Sequence, residues 1–349
     1  MTSKKIPVAI LGATGVVGQK FIELLNDHPW FEITALCASK QSANKPLKEA
    51  CHLHHPYAID ETIQNLVVQE CIPNIACELV FSALDSSCAL EIEQAFANAG
   101  YTVISNAKNH RMHPLVPLVI PEINPDHLNL IHHQTTKGKI ITNPNCSTIG
   151  IALALKPLID QFQVHALHVT TLQAISGAGY PGVPSHDIID NVIPFIKDEE
   201  EKIETEPLKI FGNYSNQSIT PFELKISAHC NRVAVQDGHL ACVSLSMGKK
   251  ASLEEIQLAW MEFAGLPQKL NLPSAPKRPT FYHHDEKAPQ PKFHRHLDKG
   301  MQVAIGRLRQ CPLLDIRFTL LSHNTIRGAA GSTILIGELM KAQGLLKSP

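Results

Sequence analysis

The sequence has no excess of charge of either sign: 31 Lys and Arg stand against 32 Asp and Glu, a formal net charge of −1. A nucleic-acid partner needs a basic footprint, so that class is excluded. No apolar run approaches the ~20 uncharged residues that span a bilayer, so no membrane partner is expected. Met1 to Ile6 run straight into an apolar segment and leave no room for a leader peptide, which points to a cytoplasmic protein. The nine cysteines show no disulfide-like framework and read as reduced thiols. Cys71 and Cys77 lack metal-site spacing. The 19 histidines include two clusters, His52, His54, His55 and His283, His284, His294, His296, in segments without periodicity. They read as surface or interface residues, and no metal is expected. No internal repeat is visible. What remains is a globular composition, 44% hydrophobic and 18% charged, in a chain of 349 residues that has room for two domains.

Ile6 to Leu11 is a short apolar run, as a buried parallel strand requires. Gly12-Ala13-Thr14-Gly15-Val16-Val17-Gly18 follows, then a helix former over Gln19 to Leu25. This Gly-x-x-Gly-x-x-Gly spacing is a variant of the dinucleotide fingerprint. Its glycines allow a tight turn and close approach of backbone to pyrophosphate at a helix N-terminus. A purely structural glycine turn is the alternative. A second strand, Glu32 to Cys37, arrives at the distance the fingerprint needs. No acidic residue lies between Leu36 and Lys48 to hold a ribose 2′-hydroxyl. Ser39, Lys40, Ser42 and Lys45 suit a 2′-phosphate instead, so NADP is favoured over NAD; the alternative is an ordinary solvated loop.

Asn143-Pro144-Asn145-Cys146-Ser147-Thr148 precedes an Ala- and Leu-rich helix former, Ile149 to Leu158. Cys146 therefore stands at a helix mouth, where unpaired N–H groups and a partial positive charge favour thiolate. Ser147 and Thr148 are suited to the cap. The other eight cysteines fit the bland role of small buried hydrophobes. A thiolate beside a nicotinamide implies attack on an aldehyde, loss of hydride to NADP and a thioester left for a second nucleophile. Such chemistry needs a base and cations. Arg232 suits a carboxylate and His239 acid–base work near neutrality.

Strand–helix alternation through the first third predicts a doubly wound sheet: Glu78 to Ala83, a helix over Ala89 to Ala99, then Tyr101 to Ser105 and Lys139 to Thr142. Val164 to Gln173 and Gly238 to Ser246 alternate and fit a largely antiparallel sheet with one covered face. A charged, helix-like run covers Lys197 to Glu206. Pro267 to Lys299 reads as a long excursion, functional or interfacial. Thr333 to Leu346 is helical. The fold class is thus α/β, an N-terminal Rossmann domain over 1–147 and a second α/β domain with a mixed sheet over 148–324.

These motifs resemble aspartate-β-semialdehyde dehydrogenases of the archaeal and fungal branch, over nearly the whole chain. The resemblance rests on the glycine motif, Ser105-Asn106-Ala107 with Asn109-His110-Arg111-Met112, Val119-Ile120-Pro121-Glu122-Ile123-Asn124 and the Cys146 motif. It extends through Gln173 to Gly182, Cys230-Asn231-Arg232, Asp237-Gly238-His239 and His323 to Gly331. It implies a C-terminal helix, 325–349, that returns to the first domain, and a catalytic and dimerisation role for the second. It also implies reversible, NADP-dependent reductive dephosphorylation of aspartyl phosphate to aspartate semialdehyde with release of inorganic phosphate. The pathway implied is lysine, diaminopimelate, threonine and methionine biosynthesis, and the assembly a homodimer or homotetramer. Cys146 would be the nucleophile, His239 the acid–base, and Gln173 would orient the acyl group. Arg232 and Glu206 would hold the substrate carboxylate and amine. Arg111 and Lys209, with Asn109 nearby, would bind phosphate. Gly12, Thr14, Gly15, Val16, Val17, Gly18, Ser39, Ser42, Ser82, Ser176, Gly177 and Asn324 would contact NADP.

Three positions depart from the family pattern. Gln41 stands for an expected Arg and Asn44 for Gly, both in the 2′-phosphate loop, and Lys108 replaces a small Ser. Competing functions are another acyl-phosphate reductase, acting on N-acetylglutamyl phosphate, a phosphorylating glyceraldehyde 3-phosphate dehydrogenase, or a nucleotide sensor without catalysis. Pairing Arg232 with Glu206 favours a substrate bearing both carboxylate and ammonium, and the intact Cys146, Gln173, Arg232 and His239 oppose the sensor. Loss of the loop arginine removes a charge-assisted contact of roughly 1.5–3 kcal/mol. Gln41→Arg should therefore sharpen the NADP over NAD ratio of kcat/KM at fixed ionic strength. A native enzyme that already rejects NAD and is unchanged by the arginine would show that position 41 does not face the phosphate.

Overall fold

The computed structural model describes residues 4–54 and 59–346. Its first sheet opens with β1 (Ile6–Leu11), an apolar strand buried along nearly its whole length, as a strand covered on both faces must be. The chain continues through α1 (Val16–Leu25), β2 (Phe31–Ala38), β3 (Gln69–Glu70), β4 (Leu79–Ser82), α2 (Ser86–Ala99), β5 (Thr102–Ser105) and β6 (Lys139–Thr142). The order is β3-β2-β1-β4-β5-β6, with every pairing parallel. In this doubly wound order the topology switches between β1 and β4, and ligands bind outside the strand ends there. Local chemistry sets the element bounds. In α2, Asp85 caps the Ser87 N–H, and Gly100 at φ 110 ends the helix in the left-handed region.

The second sheet follows α3 (Cys146–Phe162). Its strands are β7 (Val164–Gln173), β10 (Lys225–Arg232), β11 (His239–Met247), β12 (Thr280–His283), β13 (Val303–Gln310) and β14 (Ile316–Ser322). Between β7 and β10 lie α4 (Glu199–Ile210) and a hairpin of β8 (Asn213–Ser215) and β9 (Ser218–Thr220); α5 (Leu253–Glu262) follows β11. The order is β10-β7-β11-β14-β13-β12. The three central pairings are antiparallel and the outer two, β10 with β7 and β12 with β13, are parallel. A Rossmann-type sheet joined to a mixed, largely antiparallel one is the expected fold class. α3 is buried from Ser147 to Leu155, which explains why its sequence offers no polar face. It packs on the second sheet, in a core with Val169, Val243, Trp260 and Phe318.

Two expectations need correction. The Pro267–Lys299 excursion contains β12, which pairs in parallel with β13. A four-residue strand beside a proline is too short to show alternation. The C-terminal helix starts earlier and stops earlier than its apolar pattern: α6 spans Gly331–Ala342, and Gly344 at φ 71 turns the chain beyond it. Of the expected 325–349 segment, 347–349 lie outside the described residues, as does His55 of the first histidine cluster. Among the described residues, no helix is long and apolar enough to cross a membrane, and no group of three or more His, Cys, Asp or Glu could hold a metal ion.

α6 sends Ile334, Leu335, Leu339 and Met340 into the core of the first sheet. Glu338 goes with them, fully buried. His28 Nε2 lies 2.8 Å from its carboxylate, and the Ser274 N–H and hydroxyl donate to it at 3.0 and 2.5 Å. Glu338→Ala would strip these donors of their acceptor inside the core. The expected loss is on the order of 2–3 kcal/mol in urea unfolding. A loss too small to measure would mean that the C-terminal helix is not anchored through this carboxylate.

Candidate active site

The turn between β1 and α1 brings backbone against backbone. Gly12 has φ +75, and a Cβ there would lie 2.6 Å from the Ala83 carbonyl oxygen beyond β4. A Cβ on Gly18 would lie 2.1 Å from the Gly12 oxygen, so this glycine lets α1 close on the strand. A Cβ on Gly15, the N-cap of α1, would make only an ordinary contact, 3.5 Å from the Gly12 oxygen. Gly12, Thr14 and Gly15 line a chamber of about 700 Å³ with Ser39, Lys40, Glu70, Cys71 and Asp85. A second chamber of about 460 Å³ shares Gly15, Ala83, Leu84 and Asp85 with it. That chamber continues past Val16, Val17, Ser176, Gly177 and Asn324 to Cys146. A glycine cradle open to a helix N-terminus and a cleft running from β2 to the cysteine fit a dinucleotide.

Ser42 and Ser82, both expected at the nucleotide, do not line the cleft. Ser42 donates its N–H to the Ser39 carbonyl in a turn. Ser82 is fully buried and donates its hydroxyl to Glu93 at 2.6 Å. Of the two candidate lysines, Lys40 is on the chamber wall, while Lys45 donates to the Gln41 carbonyl at 3.3 Å. The acid missing after β2 has a counterpart across the sheet. β3 pairs Glu70 with Ala38, setting a carboxylate on the wall beside Ser39 and Lys40.

Cys146 is the first residue of α3, half-buried, and the cap is Asn145 rather than Ser147 or Thr148. The Asn145 side chain accepts the N–H groups of Ser147 and Thr148 at 2.9 and 3.2 Å. A Cβ on Gly328 would lie 2.7 Å from Cys146 Cβ, so the turn before α6 packs on the cysteine. The expected thiolate is not the resting form. Burial, then the Glu199 carboxylate, push the thiol up to about 12, against the pull of Arg111, Lys202 and Arg232. A helix terminus carries only about half a charge and does not offset both effects.

α4 carries Glu-x-x-Lys twice, at Glu199/Lys202 and Glu206/Lys209, offset by about two helical turns and so on one face. The first copy reaches the chamber. Glu199 accepts from Asn145 Nδ2 at 2.9 Å, Gln173 Nε2 at 3.1 Å and Lys202 Nζ at 2.8 Å. Burial raises this carboxyl, but the Lys202 ammonium and the donated hydrogen bonds outweigh it and hold the group below its usual range. The second copy, the one expected to touch substrate, is structural. Glu206 is bound to Arg111 Nη1 at 2.8 Å and to the Asn145 N–H at 2.7 Å. Lys209 donates to the carbonyls of Arg111, His113 and Val116, and burial lowers it to about 8. Neither lines the chamber with Cys146. Asn109 is also outside it, donating to the Ser86 carbonyl at 3.0 Å. Lys108 and Arg111 do line it.

Gln173 ends β7 and pairs in register with Arg232 at the end of β10. Arg232 donates to the Ala174 carbonyl at 2.7 Å. His239 opens β11, and its Nδ1 accepts the Ala174 N–H at 3.1 Å. Its Nε2 has no hydrogen-bond partner among the described residues and lies beside Gly177. Burial lowers its pKa to about 3, so it rests neutral rather than poised near 7. Asn324 accepts the Gly238 N–H and donates to Ser176 Oγ, both at 2.8 Å, which ties the glycine-rich loop to the start of β11.

The family pattern described as semialdehyde dehydrogenase, NAD binding domain, matches residues 7–131, and the one described as its dimerisation domain matches 155–327. The chain is 45% identical to the aspartate-semialdehyde dehydrogenase of Methanothermobacter thermautotrophicus, over 96% of this chain and 99% of that one. It is 44% identical to that of Candida albicans, over 99% and 100%. A crystal structure of the Candida albicans enzyme with NADP matches with a TM-score of 0.91 at 42% identity, over 98% of this chain and 100% of that one. The chain belongs to the aspartate-semialdehyde dehydrogenase family.

Against the aspartate-semialdehyde dehydrogenase pattern, the three departures have local explanations. Asn44 has φ 64, a conformation that Asn tolerates in place of Gly. Gln41 is exposed and leaves Lys40 as the cation on the wall. Lys108 pairs with Asp198 at 2.5 Å, beside the start of α4. Sequence reasoning missed Glu199, Lys202 and Asn145. The only signal for the first two was that the Glu-x-x-Lys spacing occurs twice.

Burial also lowers the His323 pKa to about 4. In the unfolded chain His239 and His323 titrate near 6.5. As pH falls below 6.5, the unfolded state binds protons that the folded state refuses. Their contribution to stability is complete above that value and is lost on the way down, to about 4 for His323 and about 3 for His239. Unfolding free energy measured in urea should fall with pH across this window. His323→Asn should reduce the slope by about one proton. A variant that runs parallel to the native protein would show that His323 is not held neutral by the fold.

Proposed function

We propose that the chain catalyses the reversible, NADP-dependent conversion of L-aspartate 4-semialdehyde and phosphate to L-4-aspartyl phosphate. In the cell it would run toward the semialdehyde, for the lysine, diaminopimelate, threonine and methionine branches, as a homodimer or homotetramer. The observation that carries this reading is Cys146 at the end of a dinucleotide-shaped cleft, with Glu199, Lys202 and Arg111 on the same wall and the Arg232 charge near enough to act on the thiol. The division into 1–147, completed by 325–349, and 148–324 sets that cysteine at the seam of the two units. The names of the relatives and the NADP of the Candida albicans structure agree with it.

Thr14 to Val17, Ser39, Lys40, Ser176, Gly177 and Asn324 would hold the cofactor. When bound, NADP supplies the hydride acceptor. Arg232 retains guanidinium nitrogens for the substrate carboxylate after its bond to Ala174. Glu199 would take the ammonium. Its carboxylate is the leading charge that keeps the Cys146 thiol protonated, so a cation arriving there makes the thiol easier to ionise. The thiol gives its proton to water in the open cleft, the sulfur adds to the aldehyde carbon, and the carbonyl oxygen takes the electron pair. A neutral imidazole that accepts an N–H at Nδ1 carries its hydrogen on Nε2, so His239 would donate to that oxygen and stabilise its charge. Gln173, fixed by Glu199, would orient the acyl group. Lys202 and Arg111 would hold phosphate. Its oxygen attacks the Cys146 thioester, the carbon–sulfur bond breaks, and the thiolate leaves.

An N-acylated substrate offers no ammonium to Glu199, and a triose phosphate offers no carboxylate to Arg232, which disfavours the related reductases. Cys146→Ser should keep NADP binding, read by fluorescence titration, and abolish turnover at 340 nm. Lys202→Met should raise the phosphate KM, while Lys209→Met should mainly lower the melting temperature. Turnover in the serine variant, or the opposite pattern for the two lysines, would overturn the assignments.

A further inference from the structure

The mechanism makes no use of Glu93, one of several acids buried in the described residues. Glu93 sits on α2 with no exposure, beneath the walls of both chambers. One carboxylate oxygen accepts two hydroxyls at 2.6 Å, from Ser82 at the end of β4 and Ser105 at the end of β5. The other lies 3.5 Å from His110 Nε2, and neither of these atoms has a hydrogen-bond partner among the described residues. Ser105 Oγ in turn accepts the Ala107 N–H at 3.0 Å. The segment from Ser105 to Arg111 is thus bonded to Glu93 at its first residue, and His110 rests against the same carboxylate near its last. Arg111 follows directly and is held by Glu206 and by the Asn106 carbonyl, at 2.8 and 2.7 Å. Ser82 leads into Ala83, Leu84 and Asp85, the wall shared by the two chambers.

We infer that Glu93 is a positioning residue for the phosphate subsite, clamping the Ser105–Arg111 loop so that the Arg111 guanidinium meets the anion beside Cys146. Burying a carboxylate costs far more than burying an amide or an apolar group. Burial raises the Glu93 carboxyl, with the serine hydroxyls and Arg111 opposing it. A group this expensive to keep, bonded to the ends of two adjacent strands, points to a requirement for fixed loop geometry rather than for packing. The requirement would be strictest for phosphate. A small anion held by a planar guanidinium is sensitive to its direction, whereas the nucleotide is gripped along its length.

The inference rests on Arg111 binding phosphate, and the test separates the two claims. Steady-state constants for phosphate, aspartate semialdehyde and NADP, NADP affinity by fluorescence, and melting temperature are measured for Glu93→Ala, Glu93→Gln and Arg111→Ala. Glu93→Ala should raise the phosphate KM by roughly tenfold or more, with kcat at saturating phosphate and NADP affinity nearly unchanged. Glu93→Gln still offers an oxygen to both serines and should restore the native phosphate KM. If Glu93→Ala does not fold, Ser105→Ala combined with His110→Asn removes the contacts between Glu93 and the loop, leaving only that with Ser82, and should show the same split. An unchanged phosphate KM in Glu93→Ala or its substitute, with a raised KM in Arg111→Ala, would overturn the inference about Glu93. A proportional rise in every constant would also overturn it, since that is the signature of general loosening. An unchanged phosphate KM in Arg111→Ala would overturn the premise itself.

Discussion

The arrangement depends on one buried carboxylate, Glu199. It binds the Asn145 side chain, whose oxygen caps the helix that begins at Cys146, so acid, cap and nucleophile form one continuous assembly. Gln173 and Lys202 bond the same group and are thereby fixed relative to the sulfur. The charge that builds this geometry also keeps the cysteine protonated. On the proposed reading, that opposition is useful. The thiol is quiet in the free enzyme and is released when a substrate ammonium neutralises the acid, so the nucleophile is made only where its target is bound.

The second constraint is the seam. Cys146 is the hinge between the last strand of the first sheet and the helix of the second, and the C-terminal segment closes over it. Asn143 donates to the Gly328 carbonyl at 3.4 Å, and Gly328 rests on Cys146. Arg327, beside it, donates to Glu122 at 2.6 Å with both side chains fully buried. Such a pair adds little net stability, but breaking it leaves a charge unpaired in the interior. It fixes the turn that forms one wall of the site. Segments far apart in sequence thus meet at the sulfur.

Much of this was legible from sequence because it is local. The glycine turn, the first two strands, α2 with its Gly100 stop and the cysteine at a helix mouth follow from period, spacing and backbone preference. β12 was not legible, since four residues carry no period. The division of labour in α4 was hidden for a different reason. Glu199 and Glu206 are equivalent on the helix face, and only the sheet beneath decides which one meets the cleft. Ser82 and Ser42 have the right residue type near the right strand ends, but one hydroxyl turns inward to Glu93 and the other residue is taken up in a turn. Burial, which no spacing reports, reversed the expected ionisation of Cys146 and lowered that of His239.

The central claim is that the reaction passes through an acyl group on Cys146. It is tested most directly by mixing enzyme with aspartate semialdehyde and NADP while omitting phosphate, then quenching in acid and mapping peptides by mass spectrometry. The account predicts one burst of NADPH per active site, with an equal amount of aspartyl group on the peptide containing Cys146 that disappears when phosphate is added before the quench. NADPH formed with Cys146 unmodified, or with the acyl group on another residue, would contradict it.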